Sequence, residues 1–194
     1  MRKTDVNTAT ITDKMFKQIL NYISTLRNAD EVRMMFMFNY MAGMRRCNFI
    51  NLQLKDIIDD NNKVKDIIIL GADKNKGSDY CNYYVSATLK KEIERYIEDW
   101  NLDNKERYLF ISVKTGKPYN KCYISQLFTS IYKVFGIRSS SHQGRHSMIS
   151  SLLLSGVNVG VVQSLVNHKN PTTTMNYLTK SSDMLKKAIN LVKI

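Results

Sequence analysis

The run MMFMFNYMAG at residues 34–43 is apolar on nearly every side of a helix, and it limits the fold more than any other stretch of the chain. A helix of that kind cannot lie on a surface; other elements have to enclose it. The chain supplies them without interruption. With 2 prolines and 8 glycines in 194 residues there is no Pro/Gly/Ser linker, no low-complexity tract and no repeat of fixed period. One domain is therefore expected, with residues 1–11 as an extension, 12–180 as the body and 181–194 as a further helix. A hydrophobic fraction of 43% is enough to build its core without disulfides or metal.

The flanking pattern is mostly helical. Thr12 is placed to cap a helix to about Leu26, with Phe16, Ile19, Leu20 and Ile23 on one face, and Ala29-Asp30 opens the enclosed helix. A short helix follows Arg45. Ile57-Ile58, the turn DDNN, the run DIIIL, the polar tip at 72–79 and YCNYYVS then read as a small antiparallel sheet. A helix from Ser86 to about Asn101 carries Leu89, Ile93, Tyr96, Ile97 and Trp100 on one face, and another after Asn120 carries Ile124, Leu127, Phe128, Ile131 and Phe135. YLFIS and TGKP form the connector between them. From Ser141 onward three or four short helices are predicted, with breaks at Gly156 and Asn170-Pro171. The fold class is mainly α with a small antiparallel β-sheet (α+β).

Twenty-nine Lys and Arg against 17 Asp and Glu leave a net charge of +12, which points to a polyanionic partner, nucleic acid before an anionic membrane. Cys47, Cys81 and Cys122 are odd in number and widely spaced, so neither a disulfide framework nor a zinc site is indicated, and a reducing, cytoplasmic setting is expected. No window holds about 18 uncharged apolar residues, and MRKTDVNTAT has no apolar signal core, so membrane-spanning and secretory readings both fail.

All three histidines, His142, His146 and His168, fall in the last third of the chain with Arg145 and Tyr177. His142 and Arg145 share a helix face at i, i+3, where imidazole and guanidinium can address one phosphate. An isolated His-x-x-Arg is more often a solvated histidine beside a surface arginine. His142 and His146 have the i, i+4 spacing of a helical zinc site, but the Glu of H-E-x-x-H is absent and Arg145 would crowd a cation, so no metal and no cofactor is expected.

The register of the whole segment decides between these readings. HQGRHSMISSLLLSGVNVGVVQSLVNHKNPTTTMNY, from His142 to Tyr177, resembles the second conserved box of the tyrosine recombinases, or phage-type integrases. That box runs His-x-x-Arg-His, an aliphatic helix, Gly-Val, a Gln-containing helix, a His or Trp, and the nucleophilic Tyr nine residues later. Here Arg145 to His168 is 23 and His168 to Tyr177 is 9, as in the family. MAGMRRCNFINLQLKDI resembles the first box, and the offsets to Leu52, Asp56 and Ile57 select Arg45 over Arg46, which is expected to be structural or to touch the DNA backbone. LFISVKTGKPYN resembles the family's connector, so the likeness covers about residues 10–180.

Two departures stand out. Asn48 occupies the place of a usual acidic residue, and Val166-Asn167 replaces Leu-Gly before the histidine; Asn tolerates positive φ well enough to serve in that turn. The family's catalytic lysine lies on the hairpin tip, where registering Lys76-Gly77 on its Lys-Gly favours Lys76 over Lys74.

The resemblance implies a chemistry that these residue types suit. A tyrosyl hydroxyl with a pKa of about 10 is ionised in about one molecule in a thousand at neutral pH, and attack on a phosphodiester adds charge to an anion. Arg45 and Arg145 would grip the non-bridging oxygens; losing one such donor in an analogous oxyanion site costs about 2.7–4 kcal/mol. His142 and His168 would bond the same oxygens or take the phenol proton, Lys76 would protonate the departing 5′-oxygen, and Tyr177 would hold a 3′-phosphotyrosine. That ester conserves the bond energy, so rejoining needs neither ATP nor cofactor.

The expected activity is site-specific recombination of double-stranded DNA, with a homo-oligomer, a synaptic tetramer, as the working form. The stripe Leu185, Ile189 and Val192, flanked by Met184, Ala188 and Leu191, fits a terminal helix that docks on a neighbouring protomer. Topoisomerase IB-like relaxation and a DNA-binding protein without catalysis are the alternatives. With its first helix near residue 12, the chain reads as the catalytic domain of a longer integrase or as a short recombinase like the fimbrial invertases.

Overall fold

The structure, a computed structural model, describes residues 10–72, 74, 80–168 and 170–180. The candidate Lys76 and the terminal helix expected at 181–194 lie outside the described residues. The elements run α1 (Asp13–Ile23), α2 (Ala29–Met41), α3 (Arg46–Phe49), α4 (Leu54–Ile57), β1 (Ile67–Leu70), β2 (Cys81–Tyr84), α5 (Ala87–Asp99), α6 (Lys121–Val134), α7 (Gln143–Leu154), α8 (Val159–Leu165) and α9 (Pro171–Lys180).

α2 is the axis. Residues 34–39 are all buried, and α1, α3, α5 and α7 pack around the helix. Phe36 lies within 5.6–6.2 Å, ring centre to ring centre, of Phe16, Tyr40, Phe128 and Tyr132. Such aromatic pairs add about 0.5–1.5 kcal/mol each beyond the area they bury. Helix starts follow local chemistry. Thr12 Oγ1 accepts from the Met15 N–H at 3.3 Å, Ser86 Oγ from Leu89 at 3.3 Å, Asn120 Oδ1 from Cys122 at 2.7 Å and Asn158 Oδ1 from Gly160 at 2.8 Å. A cap of this kind is worth about 1 kcal/mol. Ile11, on the extension side of the expected boundary, is buried, and its N–H donates to Ser147 Oγ at 2.9 Å.

The sheet is smaller than expected. β1 and β2 pair antiparallel with Ile68 opposite Tyr83 and Ile69 opposite Asn82, but Ile57 is helical and Ile58 keeps only an isolated bridge to Val64. The Asp56 carboxylate accepts the Gln53 N–H at 2.8 Å and so turns 54–57 into a helical turn instead of a strand. A second, smaller core of Ile149, Leu153, Val162 and Val166 holds α7 and α8 together, with Tyr177 packed against it. Among the described residues no helix is long and apolar enough to cross a membrane.

Candidate active site

Two close approaches build the site. At the end of α2, Gly43 has φ +60°, a left-handed conformation, and a Cβ there would meet Met148 Sδ at 2.8 Å. Asn39 Nδ2 donates to the Met44 carbonyl at 2.9 Å, closing the hook that delivers Arg45 in extended conformation at the start of α3. On α7, a Cβ on Gly144 would stand 2.3 Å from Asn39 Oδ1 and 3.2 Å from the Tyr40 nitrogen. Only glycine lets α7 come so near to α2, and its neighbour is Arg145.

Arg145 is 5% exposed; its Nη1 donates to the Gly43 carbonyl at 2.6 Å and its Nη2 to the Val166 carbonyl. Arg45 is half-buried, and its Nη2 donates to the carbonyl of the next residue, Asn167, at 3.2 Å. Among the described residues neither guanidinium is paired with a carboxylate. Burial first, and then the Arg45 charge, bring the Arg145 pKa down to about 10, so it stays protonated at neutral pH.

The turn that receives both arginines ends in His168. Asn167 holds φ +51°, the left-handed turn for which Asn suits this place, and its side chain pairs with both backbone groups of Asn82 in β2: Asn82 N–H to Oδ1 at 3.0 Å and Nδ2 to the Asn82 carbonyl at 2.8 Å. His168 Nδ1 lies 2.8 Å from Oγ1 of the buried Thr174. Desolvation, then the charges of Arg145 and Arg45, push His168 down to about 4. Its imidazole is neutral at pH 7.

Tyr177 on α9 is half-buried, its ring centre 4.6 Å from that of His146. Desolvation raises its pKa while the Arg145 charge lowers it. His142 is exposed at the N-cap of α7, one step before the helix, so it stands at the rim of the site while Arg145 is buried. Its pKa is lowered by desolvation, then by Arg46, Arg145 and Arg45.

The structure thus brings Arg45, His142, His168 and Tyr177 each within electrostatic reach of Arg145. It draws two other side chains elsewhere. Arg46 Nη1 donates to Ser125 Oγ at 2.9 Å and Ser141 Oγ at 3.2 Å, tying α3 to α6. Lys74 Nζ is engaged by the Asp56 carboxylate at 2.6 and 2.8 Å and by Gln53 Oε1 at 3.0 Å. Asn48 is buried and accepts the Cys47 thiol at 3.1 Å. Gly144 and Asn39 were missed by sequence reasoning; the glycine next to Arg145 was the available signal. Among the described residues no cluster of three or more His, Cys, Asp or Glu is placed to hold a metal.

Residues 9–184 match the phage integrase family. The chain belongs to that family. It is 28% identical over 186 residues to the tyrosine recombinase XerA of Pyrococcus horikoshii, covering 95% of this chain and 61% of the relative. It is also 28% identical over 184 residues to transposase A of transposon Tn554 from Staphylococcus aureus, covering 90% of this chain and 49% of that protein. The integrase-family chain thus spans about half to three-fifths of these relatives' length. Its fold is that of the XerA recombinase crystal structure, with a TM-score of 0.76 at 18% identity over 96% of this chain and 66% of the other. It matches the Tn1549 transposon integrase, solved with transposon right end DNA, with a TM-score of 0.72 at 16% identity over 98% of this chain and 68% of the other.

Proposed function

We propose that this integrase-family chain is the catalytic unit of a site-specific DNA recombinase that cuts one strand at a time through Tyr177. The carrying observation is the convergence of two guanidiniums, neither paired with a carboxylate among the described residues, on the turn that ends in the neutral imidazole of His168, with the Tyr177 phenol within the field of Arg145. Desolvated like charges repel, and a phosphodiester is the group that converts that repulsion into attraction.

Arg45 and Arg145 bind the two non-bridging oxygens through N–H groups not used by the carbonyls. The Tyr177 oxygen attacks phosphorus opposite the 5′-oxygen, the P–O5′ bond breaks and the 3′-phosphotyrosine forms. The neutral imidazole of His168 accepts the phenol proton or donates to a phosphate oxygen according to its tautomer, and His142 at the rim contacts the same phosphate. The 5′-oxygen leaves with a proton from a hairpin lysine. Lys74 is occupied by Asp56, which favours Lys76. Reversal on a second strand exchanges the DNA ends. The net charge of +12 supplies duplex affinity, and strand exchange between two sites calls for a homo-oligomer, with residues 181–194 docking on the neighbouring protomer.

Incubation with a pool of nicked duplexes of randomised sequence, followed by denaturation and peptide mapping of covalent adducts, tests the assignment. The wild-type chain should yield an adduct at Tyr177 and Tyr177→Phe none. No adduct, or one at another tyrosine, overturns the reading.

A further inference from the structure

The Asn167 side chain hydrogen-bonds strand β2 of the hairpin to the turn holding both arginines. Its amide accepts from and donates to the two backbone groups of Asn82, so it acts as one rung of a third strand on the outer edge of β2. The same residue offers its carbonyl to Arg45, its predecessor Val166 offers a carbonyl to Arg145, and its successor is His168. The chain segment entering β2 carries Lys74 and Lys76.

The backbone does not explain the amide. A φ of +51° is met by glycine at least as readily as by asparagine, and glycine is what the resemblance leads one to expect at this place. What asparagine adds is the pair of bonds to β2, made between residues 85 positions apart. Tyr83, next to Asn82 on the strand, is fully buried and feels the charges of both Arg45 and Arg145, so β2 and the clamp are neighbours whose relative placement matters electrostatically.

We propose that Asn167 is a positioning residue whose side-chain amide fixes strand β2 against the arginine clamp, so that the lysine which the recombinase reading assigns as general acid serves the same phosphate as the guanidiniums. The inference rests on the recombinase reading above. It assigns to Asn167 no contact with DNA; the residue acts through the hairpin on protonation of the leaving 5′-oxygen.

Leaving-group chemistry separates this role from a merely structural one. An alkyl thiolate, whose conjugate acid has a pKa of about 8.5, departs without a proton, whereas an alkoxide does not. Single-turnover cleavage is measured on a nicked duplex recovered with the wild-type chain, made once with a 5′-bridging oxygen and once with a 5′-bridging sulfur at the scissile phosphate. General acid catalysis is worth about 10²–10⁴-fold, so partial misplacement of the acid in Asn167→Gly should slow the oxygen substrate about tenfold or more and leave the sulfur substrate within about threefold of wild type. Asn167→Ala, which cannot adopt positive φ cheaply, should lose activity on both. Equal loss on both substrates for Asn167→Gly, or no loss on either, overturns the inference. Wild-type chain that forms no adduct on either substrate overturns the recombinase reading, and this inference with it.

Discussion

Arg45 and Arg145 stand far apart in the chain, yet they donate to the carbonyls of two consecutive residues, Asn167 and Val166. Arg45 is aimed by one backbone oxygen and Arg145 by two, and among the described residues each guanidinium keeps further N–H groups for an anion, so the clamp is set before one arrives. Arg145→Ala should lower the cleavage rate at least about a hundredfold, with duplex binding much less affected. Arg145→Lys should not restore it, because one ammonium cannot hold the Gly43 and Val166 carbonyls and still present a planar pair of donors to phosphate. Single-turnover adduct formation measures both variants, and Lys performing as well as Arg would refute the planar clamp.

The bond between His168 and the fully buried Thr174 fixes which way the imidazole faces. Thr174→Val is nearly isosteric, but it removes the hydroxyl and leaves Nδ1 without that partner. The expected cost is about 1 kcal/mol of stability and about a tenfold slower cleavage, because the ring is no longer aimed. Chemical denaturation and adduct kinetics on the same preparation check the two effects, and unchanged kinetics would remove Thr174 from the site.

The depressed pKa of His168 also makes stability depend on pH. The unfolded residue takes its proton near pH 6.5 and the folded one near pH 4, so between these values the unfolded chain binds more protons. The contribution of His168 is full above about pH 6.5 and is lost as the pH falls through 4, with a slope of at most about 1.4 kcal/mol per pH unit. His142, lowered for similar reasons, adds a slope of the same sign, whereas buried Glu31, raised chiefly by desolvation, adds stability that is lost as pH rises through its folded pKa. Unfolding curves for His168→Asn should therefore show a shallower acid slope than wild type; parallel curves would contradict a neutral, half-buried imidazole.

Spacing along the chain carries the helices, and the resemblance to the two integrase boxes supplies Arg45, Arg145, His168 and Tyr177 as candidates, because helical periodicity and motif register are local properties. It carries the positive φ of Asn167 for the same reason. What it does not carry are the links between elements. That Lys74 is taken by Asp56 and Arg46 by Ser125 and Ser141 depends on which segments meet in space. The strand expected at Ile57 gave way to a helical turn because one carboxylate, Asp56, reached back to the Gln53 N–H, a competition that periodicity weighs wrongly.

Gly144 is the sharpest case of a contact invisible in sequence, and it yields a stability prediction tied to function. The Cβ of Gly144→Ala would fall 2.3 Å from Asn39 Oδ1, and Asn39 cannot swing aside freely because its Nδ2 holds the Met44 carbonyl at 2.9 Å. Retreat of α7 is opposed as well, since the Tyr40 nitrogen stands 3.2 Å from the same Cβ and the Arg145 bond to Gly43 spans the two helices. Overpacking of this kind costs about 1–3 kcal/mol, which lowers the melting temperature of a chain this size by about 5 °C. Because the helix that has to move carries Arg145, cleavage should fall by far more than the loss of folded protein at the assay temperature. Thermal melting and adduct rate at low temperature are compared; a variant that melts like wild type would mean that α2 and α7 do not approach so closely.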